Sequence, residues 1–134
     1  MDTLNKIKTF LENDDIEKAF QLIISNENLY KDNFTYWNLK GTLFFQIQEY
    51  DSAIDCYKHS ISLKDDYIDS YFNIAYIYKM MGEGIKSAIH TAVALRHTDD
   101  PDFLNDILNL YSDDIFENVC NLHRRIDMVP LKNT

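Results

Sequence analysis

Residues 35–63 read TYWNLKGTLFFQIQEYDSAIDCYKHSISL, and this stretch decides the fold. Its apolar and small residues follow helical spacing over 35–46 and again over 50–63. The three residues between the two segments, 47–49, allow only a tight turn between antiparallel helices. The stretch therefore predicts a helical hairpin. The residues expected to face the core of this hairpin are Trp37, Leu39, Gly41, Leu43, Phe44, Phe45, Tyr50, Ala53, Ile54, Tyr57, Ile61 and Leu63.

The hairpin pattern recurs at a spacing of 34 residues. Phe10 aligns with Phe44 and Tyr78, and small residues align with small residues. Such a period is the signature of a helical repeat. A third hairpin is predicted over 69–81 and 85–96, with Gly82 placed to end its first helix in the left-handed conformation. The other aligned sets are Ile7, Gly41 and Ala75; Ile16 and Tyr50; Ala19, Ala53 and Ser87; and Asp32, Asp66 and Asp100.

Acidic residues mark the turns between hairpins. Asp66 and Asp100 precede predicted helices, where a carboxylate accepts hydrogen bonds from free N–H groups and suits the positive end of the helix dipole. Pro101 follows at a first helical position, where its missing N–H costs nothing. The glycine and the terminal glutamate that a calcium loop requires are absent from these turns. The acids therefore indicate helix capping rather than a calcium site.

The repeat pattern weakens after Pro101, although two amphipathic segments remain within 102–128. We expect them to form an atypical closing hairpin over the last repeat, because a terminal repeat must present a polar outer side. The tail, 129–134, is expected to fray. The sequence thus predicts a single domain over 1–134, with repeat units at about 1–33, 34–67 and 68–101.

The small and aromatic residues of the second and third hairpins form one set: Trp37, Gly41, Phe44, Tyr50, Ala53, Tyr57 and Ser60, then Ile74, Ala75, Tyr78, Gly82, Ser87 and Ala94. With this set the sequence resembles the tetratricopeptide repeat (TPR) family over about residues 1–100. The resemblance implies an all-α fold, a right-handed α-solenoid of antiparallel helical hairpins with about three TPR-like units plus the closing hairpin.

The resemblance also implies a binding groove, because in TPR proteins the first helices of successive hairpins line a concave surface that takes a peptide or helix. Aromatic, amide and methionine side chains at these positions suit such a ligand. The alternative is that Phe45, Phe72 and Tyr76 pack between helices. Asp69 would repel the C-terminal carboxylate that chaperone cofactors of this family grip. The expected groove residues are Leu4, Lys8, Leu11, Asn38, Thr42, Phe45, Gln46, Phe72, Asn73, Tyr76, Lys79 and Met80.

The composition limits the class of partner. Acidic residues number 22 against 13 basic ones, which gives a net charge of −9. Nucleic acids and anionic membrane surfaces require clustered cationic side chains, so both are disfavoured. We find neither an apolar run of about 18 residues nor a secretory signal pattern in the sequence. We therefore expect a cytoplasmic protein with Cys56 and Cys120 reduced, a disulfide being the alternative.

No set of residues in the sequence predicts catalysis, a metal site or a cofactor. Cys56 and His59 lie three residues apart on one predicted helix, a spacing that supplies two metal ligands, but two ligands do not make a site. His90 and His97 have no serine or cysteine that the sequence places beside them. The pair Gly82 and Gly84 is too short for a phosphate-binding loop.

The favoured function is therefore a protein–protein interaction module, an adaptor or scaffold that binds a peptide or helix of a partner and is not an enzyme. One alternative is a non-catalytic scaffold piece of a larger enzyme or secretion assembly. Another is a self-associating protein, such as a homodimer, in which the groove or the closing helices pair two copies. An exposed apolar strip over 115–128 would favour this alternative.

Overall fold

The computed structural model describes residues 2–97. They divide into two compact units between Ser70 and Tyr71. Among these residues every regular element is a helix, so the all-α prediction is confirmed. The helices are α1 (Thr3–Glu12), α2 (Ile16–Ser25), α3 (Glu27–Tyr30), α4 (Phe34–Gln46), α5 (Tyr50–Leu63), α6 (Ile68–Met80) and α7 (Gly84–Leu95).

The core of the first unit lies where the hairpin of α1 and α2 meets α4. Its apolar side chains are almost fully buried, so their removal from water stabilises this contact. Tyr36 is fully buried, and its hydroxyl donates a 2.7 Å hydrogen bond to the carbonyl oxygen of Ile23, so this buried polar group has a partner. The core residues are Ile7, Leu11, Ala19, Ile23, Tyr36, Leu39 and Leu43.

The second hairpin, α4 with α5, packs closely because one position has no side chain. A Cβ atom added to Gly41 would lie 2.7 Å from Cε1 of Tyr57, which is only 2 % exposed. Glycine therefore lets the two helices approach until the tyrosine ring lies against the backbone of α4. Near the other end of the hairpin, the Ser60 hydroxyl donates to the carbonyl oxygen of Phe34 at 2.8 Å.

The three hairpin turns share one backbone geometry. Asp14, Gln48 and Gly82 all have positive φ, at 58°, 65° and 76°, and they are 34 residues apart. The residue after each donates a backbone hydrogen bond to the carbonyl five residues earlier, at 2.8, 2.9 and 2.8 Å. This is the Schellman motif, which satisfies carbonyls at the end of a helix. The prediction for Gly82 is confirmed, and the same turn forms at the other two positions without glycine.

In the second unit, α7 packs on α6 through small side chains. The buried Ser87 hydroxyl donates to the carbonyl oxygen of Ala75 at 2.7 Å. Thr91, also buried, donates to the carbonyl oxygen of Ser87 at 3.0 Å, one turn earlier in its own helix. The ring of His90 lies 5.2 Å from that of Tyr78. Small residues at the crossing thus repeat the packing principle of the second hairpin.

The four helices predicted for the second and third hairpins begin and end within one residue of the observed bounds. The short helix α3 was not predicted. It precedes Asn33, whose side chain caps α4 by accepting a 2.9 Å hydrogen bond from the backbone N–H of Tyr36. Asp66 pairs with Lys64 at 2.9 Å, and its capping role stays a prediction.

Asp100, the closing hairpin at 102–128 and the tail at 129–134 lie outside the described residues. The single-domain boundaries stay predictions. Of the helices that the structure describes, the longest has 14 residues, and none is long and apolar enough to cross a membrane.

Candidate functional site

One side of α4 presents the polar and aromatic residues expected in a groove. Asn38, Thr42 and Phe45 recur at intervals of four and three residues, and all three are half-buried. The hydroxyls of Thr42 and Tyr57 share a 2.9 Å hydrogen bond, and Thr42 also donates to the carbonyl oxygen of Asn38 at 3.1 Å. Phe45 lies with its ring 5.8 Å from that of Tyr50. This surface is therefore held in place by α5.

A buried serine orients the amide of Asn38. The Ser70 hydroxyl is fully buried and lies 2.8 Å from Oδ1 of Asn38 and 3.0 Å from Oγ of Ser60. Its single proton can be donated to only one of the two oxygens at a time. Because Oδ1 is the acceptor atom of the amide, this contact fixes which way the Asn38 side chain is turned.

The expected groove residues of α1 do not behave alike. Lys8 is exposed and forms a 4.0 Å surface ion pair with Glu12. Leu4 is half-buried and packs against the core. Leu11 is only 4 % exposed and belongs to the core, where a partner could not reach its side chain, so its assignment to the groove is wrong.

Gln46 connects α4 to α1. Its Nε2 atom donates to the carbonyl oxygen of Leu11 at 3.0 Å. Its Oε1 atom is buried without a hydrogen-bond partner within the part of the chain that the structure describes. Gln46 therefore acts first as a link between two helices, which periodicity alone could not reveal.

The groove residues of α6 are accessible to different degrees. Phe72, Asn73 and Tyr76 are half-buried, and Lys79 is exposed. Met80 is 54 % exposed, although a side chain of this kind is ordinarily withdrawn from water. The aromatic residues are thus neither fully packed between helices nor fully exposed, and their assignment to the groove stays a prediction.

A second cluster, which the sequence analysis missed, joins α3 to the second hairpin. Oε1 of Glu27 pairs with Nζ of Lys40 at 2.8 Å, and that ammonium lies 4.8 Å from the centre of the Trp37 ring. The His59 ring lies with its centre 4.1 Å from that of the same indole, and the two ring planes are tilted by 45°. The indole N–H donates to the carbonyl oxygen of Lys31 at 2.7 Å. The missing signal was the short helix α3, which lies outside the helical pattern of the repeat.

Cys56 lies beside this cluster as a free thiol, 7 % exposed. Burial raises its pKa to about 11, against a smaller lowering effect of the Lys40 ammonium. The thiol is therefore protonated at neutral pH, whereas metal binding and nucleophilic attack require the thiolate. Within residues 2–97, no three side chains of the His, Cys, Asp or Glu type lie together as metal ligands. Cys120 lies outside the described residues.

The remaining histidines of the described chain take part in helix packing. Nδ1 of His90 lies 2.8 Å from the carbonyl oxygen of Lys86. The ring of His97 stacks at 5.7 Å on that of Tyr71. Neither contact resembles the pairing of a base with a nucleophile.

The repeated turns and the small residues at the helix crossings define an all-α protein built from helical hairpins. Residues 41–82, from α4 to the turn before α7, match the family model of the TPR repeat. This match identifies a TPR repeat within the chain, over residues 41–82. The comparison with curated proteins gave no match. TPR repeats generally mediate protein–protein interaction and are typically not catalytic.

Proposed function

We propose that the chain is an adaptor or scaffold, without enzymatic activity, that binds a peptide or helix of a partner along the first helices of its hairpins. The observation that carries the proposal is the side of α4 formed by Asn38, Thr42 and Phe45. These residues are half-exposed, yet hydrogen bonds and ring contacts hold them in fixed orientations. A preorganised surface loses less conformational entropy on binding than a flexible one.

By the repeat register, α6 carries the positions that correspond to this side of α4. Phe72, Tyr76 and Lys79 stand 34 residues after Asn38, Thr42 and Phe45. Aromatic side chains supply large apolar contact areas, and the exposed Met80 adapts to irregular ligand shapes. On α1, Lys8 adds a cation. The ligand that fits these residues is an extended or helical protein segment with apolar side chains.

A cytoplasmic location forms part of the proposal. The free thiol of Cys56 supports it, because reduced cysteines are typical of that compartment.

Site-specific photo-crosslinking in cells of the natural source tests this proposal. A photoreactive amino acid at Lys79, on the proposed surface, is compared with one at Lys58, which is exposed on α5. We expect a heterologous protein to crosslink at Lys79 and not at Lys58. Equal crosslinking at both positions would contradict a specific surface.

The same experiment separates the alternative functions. Crosslinking of the chain to itself at Lys79, together with a dimer in sedimentation, would favour self-association. Crosslinking only to other parts of one larger assembly would favour a scaffold piece of that assembly. Circular dichroism of each variant establishes that the substitution leaves the helices intact.

A further inference from the structure

A pocket of about 530 Å³ lies on the outer side of the first hairpin, between α1 and α2. Its apolar lining comes from Phe10 and Leu22, which are half-buried and pack with their other sides against the core. No carboxylate lines the pocket, although the chain carries a net charge of −9. The lining residues are Lys6, Phe10, Lys18, Gln21, Leu22 and Ser25.

The pocket is separate from the proposed groove. A residue advances about 100° around an α-helix, so Lys6 and Phe10 project from the side of α1 opposite to Lys8. Any ligand of this pocket would leave the groove surface uncovered.

The repeat register indicates what this pocket accepts. The residues 34 positions after Lys6 and Leu22 are Lys40 and Cys56 in the second hairpin. There the lysine side chain is only 14 % exposed and pairs with Glu27 of α3, and the cysteine is buried. A carboxylate on a short helical segment thus reaches the lysine at this position of the second hairpin.

In the first hairpin the same position lacks its carboxylate. Lys6 is exposed and has no ion-pair partner among residues 2–97. Lys18 stands 5.7 Å from the centre of the Phe10 ring, with a loose 3.7 Å pair to Asp15. Two ammonium groups therefore border an apolar pocket, an arrangement that complements a carboxylate beside apolar side chains.

The occupant is a short segment rather than a whole helical hairpin. In the second hairpin Tyr36 and Leu39 pack on the first hairpin, but the residues 34 positions earlier are Asp2 and Asn5, both exposed. The carboxylate of Asp2 already caps α1. A stacked hairpin would bury these polar groups at a cost, whereas a segment as short as α3 reaches only the pocket.

We propose that this pocket is a second docking site, which binds a short helical segment of a partner protein. An Asp or Glu of that segment pairs with Lys6, as Glu27 pairs with Lys40, and its apolar side chains pack on Phe10 and Leu22. A symmetric contact between two copies would place the lysines of both copies against each other, which disfavours a second copy as occupant.

A synthetic peptide of residues 26–33 is the probe, because it contains α3 with Glu27 and does not contain α2. Its binding to the full chain is followed by backbone amide shifts in NMR titrations up to about 1 mM peptide. We expect saturable shifts at Lys6, Phe10 and Leu22. Lys6→Glu should weaken binding about fivefold, which is a typical effect of losing one ion pair. A peptide with Glu27→Lys should bind that variant better than it binds the wild type.

The matched control is Lys58→Glu, which makes the same charge change at an exposed position of α5. It should leave peptide binding unchanged. The proposal fails if Lys58→Glu weakens binding as much as Lys6→Glu does, or if no saturable shift occurs at the pocket. It also fails if sedimentation shows a dimer that Lys6→Glu dissociates, since the occupant would then be a second copy. None of these outcomes depends on Lys79, so the groove proposal is tested separately.

Discussion

The substitution Gly41→Ala has two opposing effects on the free energy of unfolding. Alanine in the interior of a helix is more favourable than glycine by about 1 kcal/mol. The added Cβ, however, would lie 2.7, 2.8 and 3.0 Å from three ring atoms of Tyr57. Carbon atoms in favourable contact are separated by about 3.5–4.0 Å, so the ring must retreat by about 1 Å.

The ring of Tyr57 has little freedom to retreat. Its side chain is 2 % exposed, and its hydroxyl is hydrogen-bonded to Thr42. Overpacking of a well-packed core typically costs about 1–3 kcal/mol. After the helix-propensity gain is subtracted, we expect Gly41→Ala to lower the free energy of unfolding by about 1 kcal/mol.

Urea unfolding measures this change through the fluorescence of Trp37, the only tryptophan of the chain, which lies in the same hairpin. Gly84→Ala is the matched control. Gly84 is the first residue of α7 and has nothing within 4 Å of an added Cβ, so this change should leave stability unchanged or raise it slightly.

A double-mutant cycle assigns the effect to the ring. In a Tyr57→Thr background, which copies the Ala75 and Thr91 pair of the third hairpin, Gly41→Ala should become stabilising by about 1 kcal/mol. The reasoning is refuted if Gly41→Ala stabilises the wild type as much as it stabilises the Tyr57→Thr variant, since the two sites would then be uncoupled.

Three further predictions concern the turns, the core and pH. Gln48→Gly should raise the urea midpoint, because a non-glycine residue in the left-handed conformation costs about 1 kcal/mol and glycine avoids this cost. Gly82→Ala should lower the midpoint, because it places a Cβ atom on a residue of positive φ. Tyr36→Phe should cost about 1–2 kcal/mol in urea unfolding by removing a buried hydrogen bond to Ile23, and an unchanged midpoint would show that the bond contributes nothing. The pKa of Cys56 is raised from 9.0 to about 11 in the folded state, so the unfolded chain loses this proton first and stability should fall as pH rises from about 9 to 11. Cys56→Ala should reduce the fall between about pH 9 and 10, where the unfolded thiol titrates ahead of the tyrosines, and an equal slope in both proteins would exclude the thiol as a source of it.

The sequence by itself determined the four helices of the second and third hairpins and the 34-residue repeat. Helical hairpins form from local spacing, and a three-residue connection permits few geometries, so periodicity located four helices within one residue of their bounds. Gly82 was recognisable as a left-handed position because glycine has no Cβ to clash. Gln48 was not, because its positive φ follows from the closed turn around it rather than from its own preference.

Only the tertiary structure decided which side chains on those helices remain available. Leu11 and Lys8 lie on the same side of α1 by spacing, yet α4 packs over the leucine and leaves the lysine exposed. Gln46 likewise bonds to α1 instead of projecting freely. The contact between Glu27 and Lys40 depends on α3, which the 34-residue pattern does not contain. Burial and pairing are set by what lies opposite a residue in space, and a single sequence carries no direct record of those distances.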